Sequence, residues 1–226
     1  MTVRLLDRPV WSTLATRHAR FADGGMLARR FRAEFGPLAA ARDDAPESLA
    51  ELAELVPVDG TLLLLQAEAI VLPPALVATT TALGVQMVLE RLAEVPHDPR
   101  IVTLGADDGP AMLALAALTK PGPFAPRTPE LGAFVGIKQG GVLVAMAGER
   151  MKQPGYTEVS GVCSHPDARG RGFARTLSAH VARRILARGE TPYLQAYATN
   201  TPAIQLYESL GFRTRCEVNV AVVARA

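Results

Sequence analysis

The sequence predicts an α/β fold with a mixed sheet flanked by helices and with an additional α/β region at the N-terminus. Short apolar runs alternate along the chain with stretches whose apolar residues recur at helical spacing. Hydrophobic residues make up 49% of the 226 residues, which is enough for a substantial core. The proline-containing segment 93–99 is a plausible boundary, so the predicted domains are residues 1–95 and 99–226.

Two helices are predicted in the first part of the chain. The first follows Pro9 and is expected to end at the pair Gly24-Gly25. Its apolar positions at helical spacing are Val10, Leu14 and Phe21. Asp44 is expected to cap the second helix, which has Pro46 in its first turn.

Two apolar runs of the first part, residues 61–66 and 85–89, are predicted to be strands. The run 61–66 is too hydrophobic to be a free tail, so we expect it to pack into a core. A packed neighbour would also give the second part a wall, and small-molecule sites are common where domains meet. We therefore expect residues 1–95 to form part of the wall of a small-molecule pocket.

The second part alternates predicted strands with predicted helices. The strands are expected at residues 101–104, 134–138, 142–151, 157–163, 192–198 and 218–222. The helices are expected at residues 111–118, near Thr128, from Phe173 to Gly189, and from Thr201, the predicted cap, to Leu210. A Gly140-Gly141 turn is a hairpin signal. The resulting order is βα(α)βββαβαββ.

A loop rich in glycine and arginine joins the strand that ends near Ser164 to the helix that begins at Phe173. Loop glycines let the backbone approach a ligand closely, and the first turn of a helix has unpaired N–H groups that attract anions. Residues 165–188 contain six arginines and one aspartate, whereas the whole chain has a net charge of +2. Positive charge is therefore concentrated where a phosphate or pyrophosphate would bind.

Two common phosphate-binding motifs do not match this loop. A dinucleotide fingerprint, G-x-G-x-x-G, needs a third small residue where the chain has Arg175. A loop of the form G-x-x-x-x-G-K-S/T does not occur in the sequence. The loop is therefore expected to bind the phosphates of another kind of ligand.

Two sequence blocks resemble the GNAT superfamily of acetyl-CoA-dependent N-acetyltransferases. Arg169-x-x-Gly172-x-Ala174 is similar to the acyl-CoA signature Q/R-x-x-G-x-G/A, and residues 200–212 resemble a later motif, N-x-x-A-x-x-x-Y-x-x-x-G-F. The resemblance covers about residues 100–226. It implies a mixed, mostly antiparallel GNAT sheet with acetyl-CoA as co-substrate. The first part is then an additional α/β region or a degenerate GNAT-like half.

The resemblance assigns the acetyl-CoA site to the loop and to the strand before it. Backbone N–H groups of the loop would bind the pyrophosphate, at Arg169, Gly170, Arg171, Gly172, Phe173, Ala174 and Arg175. The backbone of the strand end would pair with the pantetheine arm, at Val162, Cys163 and Ser164. Gly161 is consistent with a bulge in that strand. Asn200 would contact the pantetheine or an ordered water, unless it is only a helix cap.

Tyr207 and Glu158 are the main candidates for acid–base catalysis. The resemblance implies that Tyr207 is the general acid that protonates the CoA thiolate, although its place on an apolar helix stripe also fits a core tyrosine. Glu158, on the strand that leads to the acetyl-CoA site, could take a proton from an ammonium acceptor through a water. It could also be a solvent-facing strand residue, and Glu149 is a weaker candidate for the base.

Composition argues against several classes of protein. The low net charge argues against a nucleic-acid partner, and no apolar run approaches the ~20 residues that span a membrane. Residues 1–11 lack the apolar core of a signal peptide. Cys163 and Cys216 make neither a metal-ligand cluster nor a disulfide framework. Reduced thiols, no metal and a cytoplasmic location are therefore expected.

The sequence thus predicts an N-acetyltransferase in which an amine attacks the thioester of acetyl-CoA directly, without a metal or a covalent enzyme intermediate. The alternative is a non-catalytic acyl-CoA-binding or sensing module, and a longer acyl chain is a further option. The acceptor could be a small-molecule or a peptide amine. Association into a homodimer is left open.

Overall fold

The computed structural model describes residues 5–226, and eleven strands of this stretch form one continuous sheet. The strands are β1 (Ala22–Gly24), β2 (Ala28–Phe31), β3 (Leu38–Ala41), β4 (Leu62–Gln66), β5 (Leu76–Leu89), β6 (Ile101–Leu104), β7 (Phe134–Gln139), β8 (Val142–Gln153), β9 (Tyr156–Ser164), β10 (Thr191–Tyr197) and β11 (Phe212–Arg225). The helices are α1 (Pro9–Leu14), α2 (Pro46–Leu55), α3 (Gly109–Thr119), α4 (Phe173–Leu186) and α5 (Thr201–Ser209). None of these helices is long and apolar enough to cross a membrane.

The strand order across the sheet is β1-β2-β3-β4-β11-β5-β10-β9-β8-β7-β6. Neighbouring strands are antiparallel, except that β3 runs parallel to β4 and β9 runs parallel to β10. The prediction of a mixed, mostly antiparallel sheet flanked by helices is therefore confirmed. The last strand of the chain, β11, lies between β4 and β5, so strands from both predicted parts share one sheet.

Helix α4 covers the second part of the sheet with an apolar face. It begins directly after Gly172, whose φ of +75° turns the chain into the helix. Its buried apolar residues recur at helical spacing and include Phe173, Leu177, Val181 and Ile185. This is the stripe expected from the sequence, and it holds the start of the helix, and with it the preceding loop, in a fixed place on the sheet.

A second hydrophobic core joins the two predicted parts of the chain. It includes Leu14 and Leu65 from the first part and Met151 from β8 of the second part. The first part therefore covers apolar surface of the second part. The apolar run 61–66 contributes to this shared core, as its hydrophobicity predicts. The division into domains at residues 1–95 and 99–226 stays a prediction.

The first helix is shorter than its apolar spacing indicates. It ends at Leu14 rather than at Gly24-Gly25, and Phe21 lies in a separate 3-10 turn. The ring of Phe21 packs on that of Phe35, with 4.7 Å between the ring centroids. Packing within the core therefore overrides the helical spacing of these residues.

The start of α2 is stabilised by Asp43 and not by Asp44. The Oδ1 atom of Asp43 accepts hydrogen bonds from the Ala45 backbone N–H at 3.2 Å and from the Ser48 hydroxyl at 2.6 Å. Asp44 instead forms an ion pair with Arg8 at 2.7 Å. The expected cap at Asp44 is therefore wrong: the N-cap residue is Ala45, and no side chain caps the backbone of the first turn.

A single long strand follows α5, where the predicted order has two. The strand β11 is 14 residues long and pairs with β5 along almost all of its length. Its register shifts between Thr214 and Cys216. A bulge bends a strand without ending it. Residues 212–225 therefore form one bent strand, where the predicted order has two separate strands.

Gly211, in the Gly211-Phe212 pair at the end of α5, is a position where only glycine fits. Its φ is +96°, and a Cβ there would clash with the backbone carbonyl oxygen of Arg91. We expect Gly211→Ala to lower the free energy of unfolding by ~3 kcal/mol or more, because the left-handed backbone and the clash both add cost.

Gly189→Ala is the matched control for this prediction. Gly189 has a φ of +73°, but no heavy atom lies within 4 Å of the position of an added Cβ. Only the backbone cost of ~1 kcal/mol is therefore expected. Urea unfolding of both variants measures the difference, and equal losses of stability would contradict the account.

Candidate active site

The candidate site is built where β9 and β10 separate. The two strands pair only at their start, and Tyr193 opposite Glu158 is the last pair. Beyond it, β10 pairs with β5 and β9 pairs with β8 on their far sides, so the facing edges of β9 and β10 have no partner strand. A backbone edge without a partner strand can hydrogen-bond a ligand.

Gly161 forms a bulge in β9, as its place in the strand predicts. Its φ is +62°, and the pairing with β8 shifts between Ser160, opposite Gly148, and Cys163, opposite Met146. An extra residue of this kind re-aims the strand that follows it. The residues after the bulge line the opening between the strands, at Val162, Cys163 and Ser164.

The loop before α4 presents a series of free backbone N–H groups. Within the described chain, the N–H groups of residues 170–175 have no backbone acceptor. Gly170 and Gly172 have φ values of +74° and +75°, and no heavy atom lies within 4 Å of the position of a Cβ on either residue. Together with the positive end of the α4 dipole, this arrangement fits an anion such as a pyrophosphate.

A cleft of about 500 Å³ lies between this loop and the opened strands. The predicted residues that line it are Val162, Cys163, Ser164, Arg169, Gly170, Gly172, Phe173, Ala174, Arg175, Asn200 and Tyr207. The structure therefore brings together all the predicted acetyl-CoA residues but one. Arg171 does not line the cleft, and its Nη1 donates to Gln139 Oε1 at 3.2 Å.

Tyr207 is largely buried on α5 and lines the cleft. Burial raises the pKa of Tyr207 to about 12, and electrostatic contributions from Cys163 and Glu158 act in the same direction. The phenol is therefore protonated across the neutral pH range, as a general acid must be. In the same cleft, burial raises the pKa of the Cys163 thiol to about 11, so this cysteine is no thiolate nucleophile at neutral pH.

Asn200 both caps a helix and lines the cleft. Its Oδ1 accepts a hydrogen bond from the backbone N–H of Ala203 at 3.3 Å, so Asn200, and not Thr201, caps α5. The cap fixes the Asn200 side chain where α5 meets the opened strands. The two interpretations of this residue from the sequence are therefore compatible.

Glu158, the predicted base, is buried in an ion pair and does not line the cleft. Its two oxygens accept hydrogen bonds from Nε and Nη2 of Arg150, both at 2.9 Å, and Oε2 also accepts from the Met151 N–H at 3.1 Å. Burial by itself lowers the pKa of Arg150, but the charge and hydrogen bonds of Glu158 hold that pKa above its usual value. The role of Glu158 as a base stays a prediction.

Glu149, the weaker candidate for the base, is also buried and paired. Its Oε2 lies 2.7 Å from Nζ of Lys152, and its Oε1 lies 3.0 Å from Nη1 of Arg188. Like Glu158, it does not line the cleft. Both carboxylates therefore face cationic partners.

A smaller cavity of about 160 Å³ adjoins the cleft. The two spaces share Lys120, Pro121, Val162, Asn200, Ala203 and Tyr207. The first part of the chain contributes Leu38, Leu63, Leu65 and Gly84 to the smaller cavity, and the second part contributes among others Arg150, Gln195, Tyr197, Val218 and Val220. The first part thus forms one wall of a cavity that meets the cleft at Tyr207.

Three residues of the smaller cavity with charged or amide side chains, Arg150, Gln195 and Lys120, were not identified from the sequence. Arg150 had a usable signal, because a hairpin turn at Gly155 places residue 150 near Glu158 on the facing strand. Gln195 is a polar residue within an otherwise apolar predicted strand. Lys120 follows the last residue of α3 and has a left-handed backbone conformation, with a φ of +51°. Lysine rarely adopts this conformation, so the sequence gives no signal for it.

The cysteine, histidine and acidic side chains of residues 5–226 form no group of three that could hold a metal ion. Cys163 and Cys216 are both free thiols.

Comparison with known proteins adds three similarities. A family model described as FR47-like protein matches residues 134–221. A solved structure from Novosphingobium aromaticivorans, described as an acetyltransferase from the GNAT family, is 42% identical over 98% of both chains, with a TM-score of 0.92. A GCN5-related N-acetyltransferase from Kribbella flavida is 16% identical over 96% of this chain and 95% of its own, with a TM-score of 0.67, and supports the fold alone. The search of curated proteins found no match.

Proposed function

The chain belongs to the GNAT family of acetyltransferases, and on this premise we propose that it transfers an acetyl group from acetyl-CoA to an amine acceptor. The observation that carries the proposal is the junction of two spaces at Tyr207. One is a cleft of about 500 Å³ that is lined in part by the loop with the free N–H groups, and the other is a small cavity that could hold a second substrate. A two-substrate transfer needs such a meeting point.

The residues of the cleft fit acetyl-CoA as a co-substrate. When bound, it would supply an activated acyl group in the form of a thioester. The free N–H groups of residues 170–175 would hold the pyrophosphate, and the open edge of β9 at residues 162–164 would bind the pantetheine amides. N–H groups at the same edge can stabilise negative charge that develops on the thioester oxygen.

Tyr207 would donate the proton that the departing thiolate needs. A pKa of about 12 is high for a phenol, but the same burial raises the pKa of the neighbouring Cys163 thiol to about 11. A thiolate that leaves into this cleft would also lose part of its contact with water, which would raise its proton affinity. The phenol and the thiolate therefore remain closely matched, which favours proton transfer.

A water is the simplest acceptor for the amine proton. Glu158 is engaged by Arg150 on both oxygens and lines neither space, so direct contact with the acceptor would require this ion pair to open. We propose that Glu158 is a positioning residue that fixes Arg150 at the smaller cavity. The cationic side chains of Arg150 and Lys120 would favour the neutral form of a bound amine, which is the form that attacks.

Binding and turnover together test this proposal against a non-catalytic acyl-CoA-binding module. A ligand at a hundred times its Kd stabilises the folded state by ~2.7 kcal/mol, so acetyl-CoA should raise the Tm whereas NAD and ATP should not. Thiol release from acetyl-CoA across an amine library then separates the two functions. Binding without amine-dependent release would favour the module, and a series of longer acyl-CoA substrates would identify another donor. The free thiols fit a cytoplasmic location for the reaction.

The pH dependence of kcat/KM gives an independent prediction for Tyr207. We expect the rate to rise between about pH 6 and pH 9, as the acceptor amine loses its proton, and to show no decline up to about pH 10. The proton of Tyr207 is lost only near its raised pKa of about 12, so the acid form persists over this range. Initial rates at constant ionic strength measure the profile, and a falling limb near neutral pH would contradict Tyr207 as the acid.

A further inference from the structure

The smaller cavity has an unusual division between apolar and polar lining. Leu38, Leu63 and Leu65 give it an apolar wall, and Lys120 and Arg150 give it cationic groups. No Asp or Glu of the described residues lines it. A polycationic acceptor would therefore meet positive charge without a carboxylate partner, whereas an acceptor with a negative group would be attracted.

The side-chain amide of Gln195 has no hydrogen-bond partner among the described residues. Both polar atoms of this amide, Oε1 and Nε2, are buried. Gln195 lines the smaller cavity. Buried polar groups in proteins are nearly always paired, so the unpaired amide of a residue that lines a cavity is a candidate partner for a ligand that enters there.

The amide of Gln195 offers one acceptor and one donor. Its Oε1 can accept a hydrogen bond from an amine, and its Nε2 can donate to a carboxylate. The two atoms are held side by side on one side chain. They match a molecule that carries an amine and a carboxylate close together.

Arg150 has a donor that its ion pair does not use. Nε and Nη2 bind the two oxygens of Glu158, whereas Nη1 makes only a long contact of 3.5 Å with the backbone oxygen of Pro123. The side chain is only 12% exposed, so the guanidinium is held in place at the wall of the cavity. A carboxylate next to Nη1 would gain a charge-assisted hydrogen bond.

We infer that the acceptor is a small molecule that carries a carboxylate next to its amine and an apolar side group, as an aliphatic α-amino acid does. The inference rests on the proposed acetyl transfer and specifies the acceptor. Gln195 and Arg150 bind the amine–carboxylate end, and the leucines of the first part bind the apolar group. The volume of about 160 Å³ is below that of pockets for drug-sized ligands, in agreement with a small acceptor.

Three probes test the inference on the full chain with acetyl-CoA: leucine, 3-methylbutylamine, which is leucine without its carboxylate, and the polycation spermidine. We expect kcat/KM for leucine to exceed that for 3-methylbutylamine by ~100-fold or more, because the amine alone leaves the polar groups of the site unpaired. We expect spermidine to be the poorest acceptor. Equal or better use of either amine than of leucine would overturn the inference.

The variant Gln195→Leu tests the residue itself. We expect the leucine to 3-methylbutylamine ratio of kcat/KM to fall by ~10-fold or more, through a higher KM for leucine. Gln205→Leu is the matched control, because Gln205 is exposed on α5 and lines neither space, and its ratio should stay unchanged. An unchanged ratio in Gln195→Leu would overturn the role of Gln195 in acceptor recognition.

The failure of this inference is distinct from failure of the proposed function. Acetylation of other amines of the library, but not of leucine, would overturn the inference and leave acetyl transfer standing. Binding of acetyl-CoA with transfer to no amine would overturn both.

Discussion

Tyr207→Phe is expected to lower kcat by ~10²-fold while it leaves the Kd for acetyl-CoA nearly unchanged. The substitution removes only the hydroxyl group, so the ring keeps its buried place on α5, where it packs edge-on against Phe212 with 6.0 Å between the ring centroids. The lost atom is the proton donor at the junction of the cleft and the smaller cavity. The effect should therefore appear in turnover and not in binding, and stopped-flow or steady-state thiol release measures it.

Tyr156→Phe is the matched control for this variant. Tyr156 also lies on the opened sheet, at the start of β9, but it lines neither the cleft nor the smaller cavity. We expect the kcat of the Tyr156→Phe variant to equal that of the wild-type protein. If Tyr207→Phe binds acetyl-CoA and also turns over normally, Tyr207 is a core residue and another group protonates the thiolate.

Gly172→Asp is expected to weaken acetyl-CoA binding by ~100-fold or more, because it places a carboxylate among the N–H groups that would hold the pyrophosphate. The space around Gly172 is open, so the side chain itself does not clash with the protein. The left-handed backbone adds ~1 kcal/mol of strain, which lowers the free energy of unfolding. This strain does not change the charge at the loop, so it is not the cause of the expected loss of binding. Isothermal titration with acetyl-CoA measures the loss.

Two further variants separate charge from strain. Gly172→Ala has the same backbone strain without the charge, and Gly140→Asp has the same charge at another open glycine, φ +55°, in the turn between β7 and β8. We expect both to bind acetyl-CoA much more tightly than Gly172→Asp does. Equal weakening by all three would show that the loop does not bind an anion.

The parts of the site that are local in sequence were predictable. The loop at residues 165–175 and the start of α4 follow from glycine, arginine and the apolar spacing of the helix, which act over a few residues. Gly161 was expected in a bulge because a glycine inside a strand has few other reasons to be there, and its φ of +62° agrees. These features depend on backbone conformation and helix amphipathicity, which neighbouring residues determine.

The smaller cavity depends on long-range pairing and was not predictable in detail. Its wall of leucines comes from strands β3 and β4, which reach the second part only because β11 inserts between β4 and β5. The strand β3 reads Leu-Ala-Ala-Ala and has no alternating pattern that would indicate a strand. Packing in the sheet, and not propensity, makes it one.

The environment of Glu158 shows the limit of strand alternation. A regular strand would place Glu158, Ser160 and Val162 on one face, which suggests a carboxylate at the acetyl-CoA site. The bulge at Gly161 breaks this alternation, so Val162 lines the cleft whereas Glu158 binds Arg150. The bulge was expected from the sequence. The orientation of Glu158, however, also depends on Arg150, which the neighbouring strand β8 places beside it.

The most direct test of acetyl transfer is the stoichiometry of the two products. The full chain is mixed with acetyl-CoA labelled in its acetyl group and with the best amine of the library, and free CoA and acetylated amine are both quantified by mass spectrometry. We expect one labelled acetylated amine for each CoA released, and we expect Tyr207→Phe to reduce both products together. Bound acetyl-CoA with no acetylated amine, or CoA release that does not depend on the amine, would contradict it.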